Sequence, residues 1–269
     1  MKYISPFRYP GGKSWLVPKI KAIAQEWYPQ GLDKIIEPFC GGASVSLDSI
    51  AKGWAKKAHL NDLDEKIYNF WNVLIGGIIR VNGLSDSNCF FNCLQRTKTP
   101  EDFWCSYPEE TSFEPSGSPW EEALKTLILN RTSFTGSIYP ALSGKMGKGH
   151  TRWNQEKLFK RCQLINEKKD QLDISNLDWF DFLETHQKSN ALFYIDPPYI
   201  TAGKKLYRHY NVSLPDILNT TRKLKGGVII SYEDDEQAEM HAKCQNFWVQ
   251  RVKMPAGKTE LLFLKEPEE

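Results

Sequence analysis

The sequence predicts an α/β protein built on a mostly parallel sheet that closes with an antiparallel pair. Short apolar strands alternate with helical segments near the N-terminus, and the alternation resumes after residue 172. A stretch of different texture separates the two. Alternating strand and helix is the pattern of parallel βαβ units.

Lys34-Ile35-Ile36-Glu37 reads as a first strand, short, apolar and ending in an acid. Gly41-Gly42 marks the turn after it, and residues 43–51 follow as a helix. Ala58-His59-Leu60 is a second strand leading into Asn61-Asp62, beyond which Leu63, Ile67, Phe70, Trp71 and Leu74 recur at helical spacing. Residues 76–154 are rich in Ser, Asn, Thr, Gly and Pro. Within them Ser118-Pro119 opens a helix over 120–129, with proline at the first helical position. This region reads as an inserted, mainly helical module, dividing the chain into 1–75, 76–165 and 166–269, the outer parts forming one domain. Asp173-Ile174, 192–195 and 228–231 continue the strands, with helices over 179–183 and 214–224. Residues 249–252 and 261–264 form the expected antiparallel closure.

With 269 residues, 41% apolar and 25% charged, the chain is an ordinary globular protein rather than a disordered one. No apolar run approaches the ~20 residues that cross a bilayer, and residues 1–8 lack a signal-peptide core, so no membrane association and a cytosolic location are expected. Six scattered cysteines favour reduced thiols over a disulfide framework. Cys89, Cys93 and Cys105 lack a fourth ligand at finger-like spacing, and no metal is expected. The net charge of +2 is unevenly spread: residues 101–122 hold seven acids and no Lys or Arg, whereas 145–169 hold eight basic residues and two acids. A basic stretch of that kind suits phosphate, although solvated helix faces look the same in sequence.

Four segments carry chemistry. Asp196-Pro197-Pro198-Tyr199 follows the apolar run 191–195. Prolines stiffen the turn, leaving an acidic acceptor, backbone carbonyls and a flat ring where α/β proteins bind ligands. A planar base with an amino group suits that set; a structural turn would also account for it. Pro38-Phe39-Cys40-Gly41-Gly42 is a glycine turn lacking the third glycine of a dinucleotide fingerprint. Asp62 ends the second strand where it could accept from ribose hydroxyls, if Asn61 or Asp64 caps the helix that follows. Asp178-Trp179 offers a carboxylate and a ring, or simply an N-cap and a core tryptophan. Arg8-Tyr9-Pro10-Gly11-Gly12-Lys13 sets a cation before a helix start, where a carboxylate could bind.

In this order, Tyr9–Lys13, Glu37–Gly42, Asn61-Asp62 and Asp196–Tyr199 closely resemble the motif series of the Dam-like, class D12, α-group DNA adenine-N6 methyltransferases. Asn130-Arg131-Thr132-Ser133-Phe134-Thr135-Gly136 resembles a segment of that family's insertion. The resemblance spans nearly the whole chain. It implies a Rossmann-like S-adenosylmethionine-dependent methyltransferase fold carrying an inserted target-recognition domain. Tyr9, Lys13, Glu37, Phe39, Gly41, Gly42, Asp62, Asp178, Trp179 and Asp196 would then contact S-adenosylmethionine. Asp196, Pro197 and Tyr199 would be catalytic, with the Asp196 carboxylate and Pro197 carbonyl accepting the hydrogens of a flipped-out adenine N6 and Tyr199 stacking on the base. Arg131, Ser133, Thr135, Lys145, Lys148 and Arg152 would face double-stranded DNA. A cognate restriction endonuclease and a monomeric or weakly dimeric state are the further expectations.

Trp179 stands where relatives often have Phe, and Ser231-Tyr232-Glu233-Asp234 departs from their Ser-Asn pattern. Neither departure touches Asp196. The competing functions are methylation of cytosine N4 or of RNA on the same fold, and a degenerate relative that only binds DNA.

Overall fold

The computed structural model describes residues 4–8, 12–76, 80–81, 84–106, 117–133, 136–139, 152–198, 212–254 and 257–268. Its centre is a seven-stranded sheet of β1 (Leu32–Glu37), β2 (Ala55–Asn61), β5 (Leu172–Ser175), β6 (Leu192–Ile195), β7 (Gly227–Glu233), β8 (Trp248–Lys253) and β9 (Thr259–Lys265). β3 (Arg80–Val81) and β4 (Leu84–Ser85) form a separate two-stranded ladder. The sheet order is β5-β2-β1-β6-β7-β9-β8, parallel except where β9 runs against β7 and β8. Counting only the strands of this sheet, the order is 3-2-1-4-5-7-6. Strand order reverses between β1 and β6, which opens a crevice at their C-terminal ends.

Both faces of the sheet are covered, so the central strands are apolar throughout rather than alternating. The period of two still sorts their side chains. Ile35, Leu192, Tyr194, Ile229 and Leu262 face one core, whereas Ile36, Phe193, Ile195, Val228, Ile230, Leu261 and Phe263 face the other. The first core is closed by α1 (Val17–Trp27), α2 (Ser44–Ala51) and α3 (Glu65–Ile75), the second by α8 (Trp179–Thr185), α9 (Leu214–Thr221) and α10 (Glu236–Cys244).

The inserted region supplies α4 (Asp86–Arg96), α5 (Pro100–Ser106), α6 (Pro119–Thr132) and α7 (Gln155–Asn166). As the sequence predicts, α6 begins at Pro119 behind Ser118, whose N–H donates to Glu121 Oε2 at 2.8 Å. Among the described residues this region has no core of its own. Phe90, Leu94, Leu124, Leu127, Ile128, Leu158 and Cys162 join Ile67, Phe70 and Trp71 of α3 in the first core. The described helices of this region are therefore packed onto the same core as α3. No helix among the described residues is long and apolar enough to cross a membrane.

Candidate active site

The strand alternation decides which polar groups meet. Glu37, Asp196, Ser231 and Glu260 each stand two positions from a residue of the first core, Ile35, Tyr194, Ile229 and Leu262 respectively, and so share its face of the sheet. The first three lie at the C-terminal ends of parallel strands. Glu260 joins them because β9 runs the opposite way and begins at that end, opposite Glu233.

Asp196 follows the last residue of β6, and the two hydrogen bonds that described residues make to its carboxylate fall on one oxygen. Lys13 Nζ donates to Oδ1 at 2.7 Å and Ser231 Oγ donates to the same atom at 3.0 Å. Tyr194 OH lies 3.1 Å from Ser231 Oγ, extending the network into the core. No described group bonds Oδ2. Asp196 is partly exposed and Pro197 is buried. Lys13 comes from the 3-10 turn Lys13–Trp15 and is only 4% exposed; its ammonium also pairs with Glu260 at 3.0 Å. Burial opposes its charge, but Asp196 and Glu260 outweigh that and raise its pKa. The cation expected at a helix start is thus an internal one.

Glu37 is buried and accepts Ser46 N–H, near the start of α2, at 2.7 Å. Burial pushes its carboxyl up to about 8, so it is largely protonated at neutral pH. It lies beneath the glycine turn. In that turn Gly41 has φ +44° and Ala43 φ +49°, two left-handed residues that let the chain double back closely. Gly41 N–H donates to Asp62 Oδ2 at 2.8 Å, and its carbonyl accepts Trp71 Nε1 at 2.8 Å.

Asp64 caps α3, accepting Lys66 N–H at 3.0 Å, as the ribose reading of Asp62 requires. Asp62 nevertheless has internal bonds, since Oδ1 accepts Asp64 N–H at 3.0 Å alongside the Gly41 bond to Oδ2. Oδ1 retains a further lone pair, whereas Oδ2 also accepts from Cys40 Sγ at 3.9 Å. Burial raises this carboxyl to about 7.

The neighbouring Asn61, a cap candidate in the sequence, does not cap α3 but orders the crevice. Fully buried, it donates to Pro38 O at 3.1 Å and Leu177 O at 2.9 Å, and accepts Leu177 N–H at 3.0 Å. One side chain thereby ties together the loops after β1, β2 and β5. On those loops Phe39 and Trp179 face each other, ring centroids 6.2 Å apart and tilted by 33°. Asp178 is exposed and caps α8 by accepting Phe180 N–H at 2.9 Å, the structural role that its position also allowed.

Residues 9–236 match the D12 class N6 adenine-specific DNA methyltransferases. The chain belongs to that family. A type II methyltransferase, M.MjaIII of Methanocaldococcus jannaschii, is 24% identical over 208 residues, covering 75% of this chain and 71% of that protein. Among solved structures, the rRNA methyltransferase aviRa from Streptomyces viridochromogenes is similar at a TM-score of 0.45 and 12% identity, covering 93% of this chain and 83% of the other. An rRNA methylase from Streptococcus thermophilus follows at 0.38 and 7%, covering 91% and 95%.

In this D12 family member the Asn130–Gly136 segment is a joint before it is a surface. Asn130 is fully buried and bonds the Arg8 backbone and the Gly136 carbonyl. Gly136 has φ +85°, and a Cβ there would lie 2.2 Å from the Arg8 carbonyl oxygen, so only glycine fits. Arg131, expected at DNA, turns its guanidinium to the Arg152 carbonyl, at 2.9 Å from Nη2 and 3.2 Å from Nε. Burial, then Arg161 and Arg8, lowers its pKa to about 10. Ser133, also expected at DNA, is 2% exposed at the end of α6; its hydroxyl donates to the Asn130 carbonyl at 3.5 Å and its own carbonyl accepts from Arg8 and Arg152. Arg8, Arg152 and Arg161 are half-exposed around it. The assignments of Tyr9, Thr135, Lys145, Lys148 and Tyr199 lie outside the described residues. Among the described residues no three His, Cys, Asp or Glu groups gather as metal ligands.

Proposed function

We propose that this methyltransferase transfers a methyl group from S-adenosylmethionine to the N6 amine of an adenine flipped out of duplex DNA. The observation that carries the reading is the fixed carboxylate of Asp196, with Oδ1 held by Lys13 and Ser231 and Oδ2 bonded by no described residue.

The crevice residues fit an adenosyl cofactor. Asp62 Oδ1 has a lone pair for a ribose hydroxyl, Phe39 and Trp179 offer faces to a base, and Gly41-Gly42 allows close backbone approach. When bound, the cofactor supplies an electrophilic methyl on a sulfonium. The chain's own part is to make the amine a nucleophile. N6 is weak because its lone pair is delocalised into the purine. Asp196 Oδ2 and the Pro197 carbonyl each accept one N6 hydrogen, favouring the pyramidal nitrogen of the transition state. As the new N–C bond forms and the methyl–sulfur bond breaks to leave a neutral thioether, Asp196 would take one N6 proton and pass it to solvent.

A base inside the duplex cannot reach this crevice, so extrusion is required, at a cost of a few kcal/mol offset by stacking on Tyr199 and phosphate contacts. Lys145, Lys148, Arg152 and the half-exposed Arg8 and Arg161 supply the positive charge. Incubation with labelled S-adenosylmethionine and mixed-sequence duplex DNA, followed by nucleoside mass spectrometry, tests the reading. Label on N6-methyladenine supports it; label on cytosine N4, on RNA alone, or on neither nucleic acid despite cofactor binding overturns it.

A further inference from the structure

We propose that Glu260, on the antiparallel strand β9, is a positioning residue for methyl transfer: by anchoring Lys13 it fixes which oxygen of Asp196 faces the substrate amine. The inference rests on the methyl-transfer reading and adds a residue outside the family motifs.

Three observations carry it. Lys13 Nζ sits between two carboxylates, 2.7 Å from Asp196 Oδ1 and 3.0 Å from Glu260 Oε1. Lys13 and Glu260 are 4% and 3% exposed, so little water is available to replace either partner. Finally, β9 is held in register on both sides, by β7 and by β8, which makes Glu260 a rigid point of attachment. Lys13 reaches the site from a short 3-10 turn and needs such a point more than Asp196 does.

The consequence is directional. Without the Glu260 contact the buried ammonium is less constrained to one oxygen of Asp196. Anchored by Glu260, it stays on Oδ1 beside Ser231 Oγ, and Oδ2 remains available to N6. Among the described residues, the other titratable groups around this cluster are Glu37 on β1, Tyr194 on β6 and Glu233, which stands opposite Glu260 in the β7–β9 register.

The test compares wild type with Glu260→Gln, Glu260→Asp, Lys13→Met and the Lys13→Met/Glu260→Gln pair, using S-adenosylmethionine and mixed-sequence duplex DNA. Expected for Glu260→Gln is a kcat lower by about tenfold to a hundredfold, with the cofactor Kd changed by less than about threefold. Glu260→Asp recovers part of the loss. Glu260→Gln added to Lys13→Met costs nothing further. In cofactor-free protein, the Lys13 Nζ resonance followed by NMR titrates at lower pH in Glu260→Gln, because one of the two carboxylates sustaining the charge has gone. Wild-type kcat and an unmoved Lys13 titration in Glu260→Gln overturn the proposal, as does an additive loss in the double variant. If Glu260→Gln does not fold, Glu260→Asp against Lys13→Met decides by the same comparison. Wild type that binds cofactor but moves no methyl group would instead refute the methyl-transfer reading itself.

Discussion

Asn130 holds the backbone of Arg8 through both of its amide atoms: Oδ1 accepts the Arg8 N–H at 2.7 Å and Nδ2 donates to the Arg8 carbonyl at 3.0 Å. Because Nδ2 also donates to Gly136 O at 2.6 Å, a residue of the inserted region fixes the chain that leads into Tyr9–Lys13. Asn130→Ala removes all three bonds and leaves buried groups unpaired. A loss of about 3 kcal/mol or more in urea unfolding is expected, together with a raised KM for cofactor. Gly136→Ala forces a Cβ to within 2.2 Å of the Arg8 carbonyl oxygen and should be at least as damaging. A pair of variants within about 0.5 kcal/mol of wild type would show that the joint does not matter.

Asp196→Ala removes the acceptor proposed for N6 while Glu260 still holds Lys13. Loss of a preorganised electrostatic partner costs ~2.7–4 kcal/mol in other active sites, so kcat should fall by about a hundredfold to a thousandfold. Cofactor affinity should change far less, since Asp62, Phe39 and Trp179 stay in place. Rapid-quench single-turnover measurements with calorimetric binding separate the two. Equal losses in kcat and cofactor affinity would contradict the assignment.

The parts of this architecture visible in the sequence are those set by local pattern. Buried strands show as apolar runs, Pro119 behind Ser118 marks the start of α6, and Gly41 occupies a turn needing positive φ. The rest depends on residues distant in sequence. Glu260 is a single acid in an otherwise apolar strand, and it acquires a role only because β9 runs antiparallel to β7 and brings it to Lys13. α7 shows a weak helical signal because Leu158, Cys162 and Ile165 are flanked by charge; packing against the first core decides its burial. Ser133 and Arg131 look like surface groups by residue type. The turn at the end of α6 directs one inward and the other onto a carbonyl.

The ribose contact proposed for Asp62 predicts pH-dependent cofactor binding. Burial holds its carboxyl at about 7, so below that pH the group is mainly protonated and a poorer acceptor for ribose hydroxyls. Affinity for S-adenosylmethionine should strengthen roughly tenfold between pH 6 and pH 8. Asp62→Asn should bind more weakly and lose that slope. Fluorescence titration across the range is the check; an unchanged slope in Asp62→Asn would assign the dependence to another group.

His59 of β2 and His186, just after α8, form a further titratable pair. His59 Nδ1 lies 2.9 Å from His186 Nε2, and His59 Nε2 lies 2.7 Å from Ser175 Oγ. Burial, then the neighbouring His186, pushes His59 down to about 4, and burial lowers His186 as well. Between pH 6.5 and 4 the unfolded chain therefore takes up protons at His59 that the folded chain refuses. That contribution to stability is fully present above 6.5 and is lost as pH falls toward 4. Discounted for partial exposure, it amounts to about 1–2 kcal/mol. Glu37 and Asp62 act in the opposite sense, since their folded pKa values of about 8 and 7 lie above the ordinary carboxylate range and make the fold less stable as pH rises. The whole-protein melting curve mixes these slopes, so the informative quantity is the difference between wild type and His59→Asn. That difference in unfolding free energy should narrow as pH drops from 6.5 to 4.5, because acid removes from the wild type what the substitution has already removed. A constant difference across the window would mean that the pair is held by packing against Phe182, whose ring meets His59 edge-on at 4.9 Å, and carries no proton-linked stability.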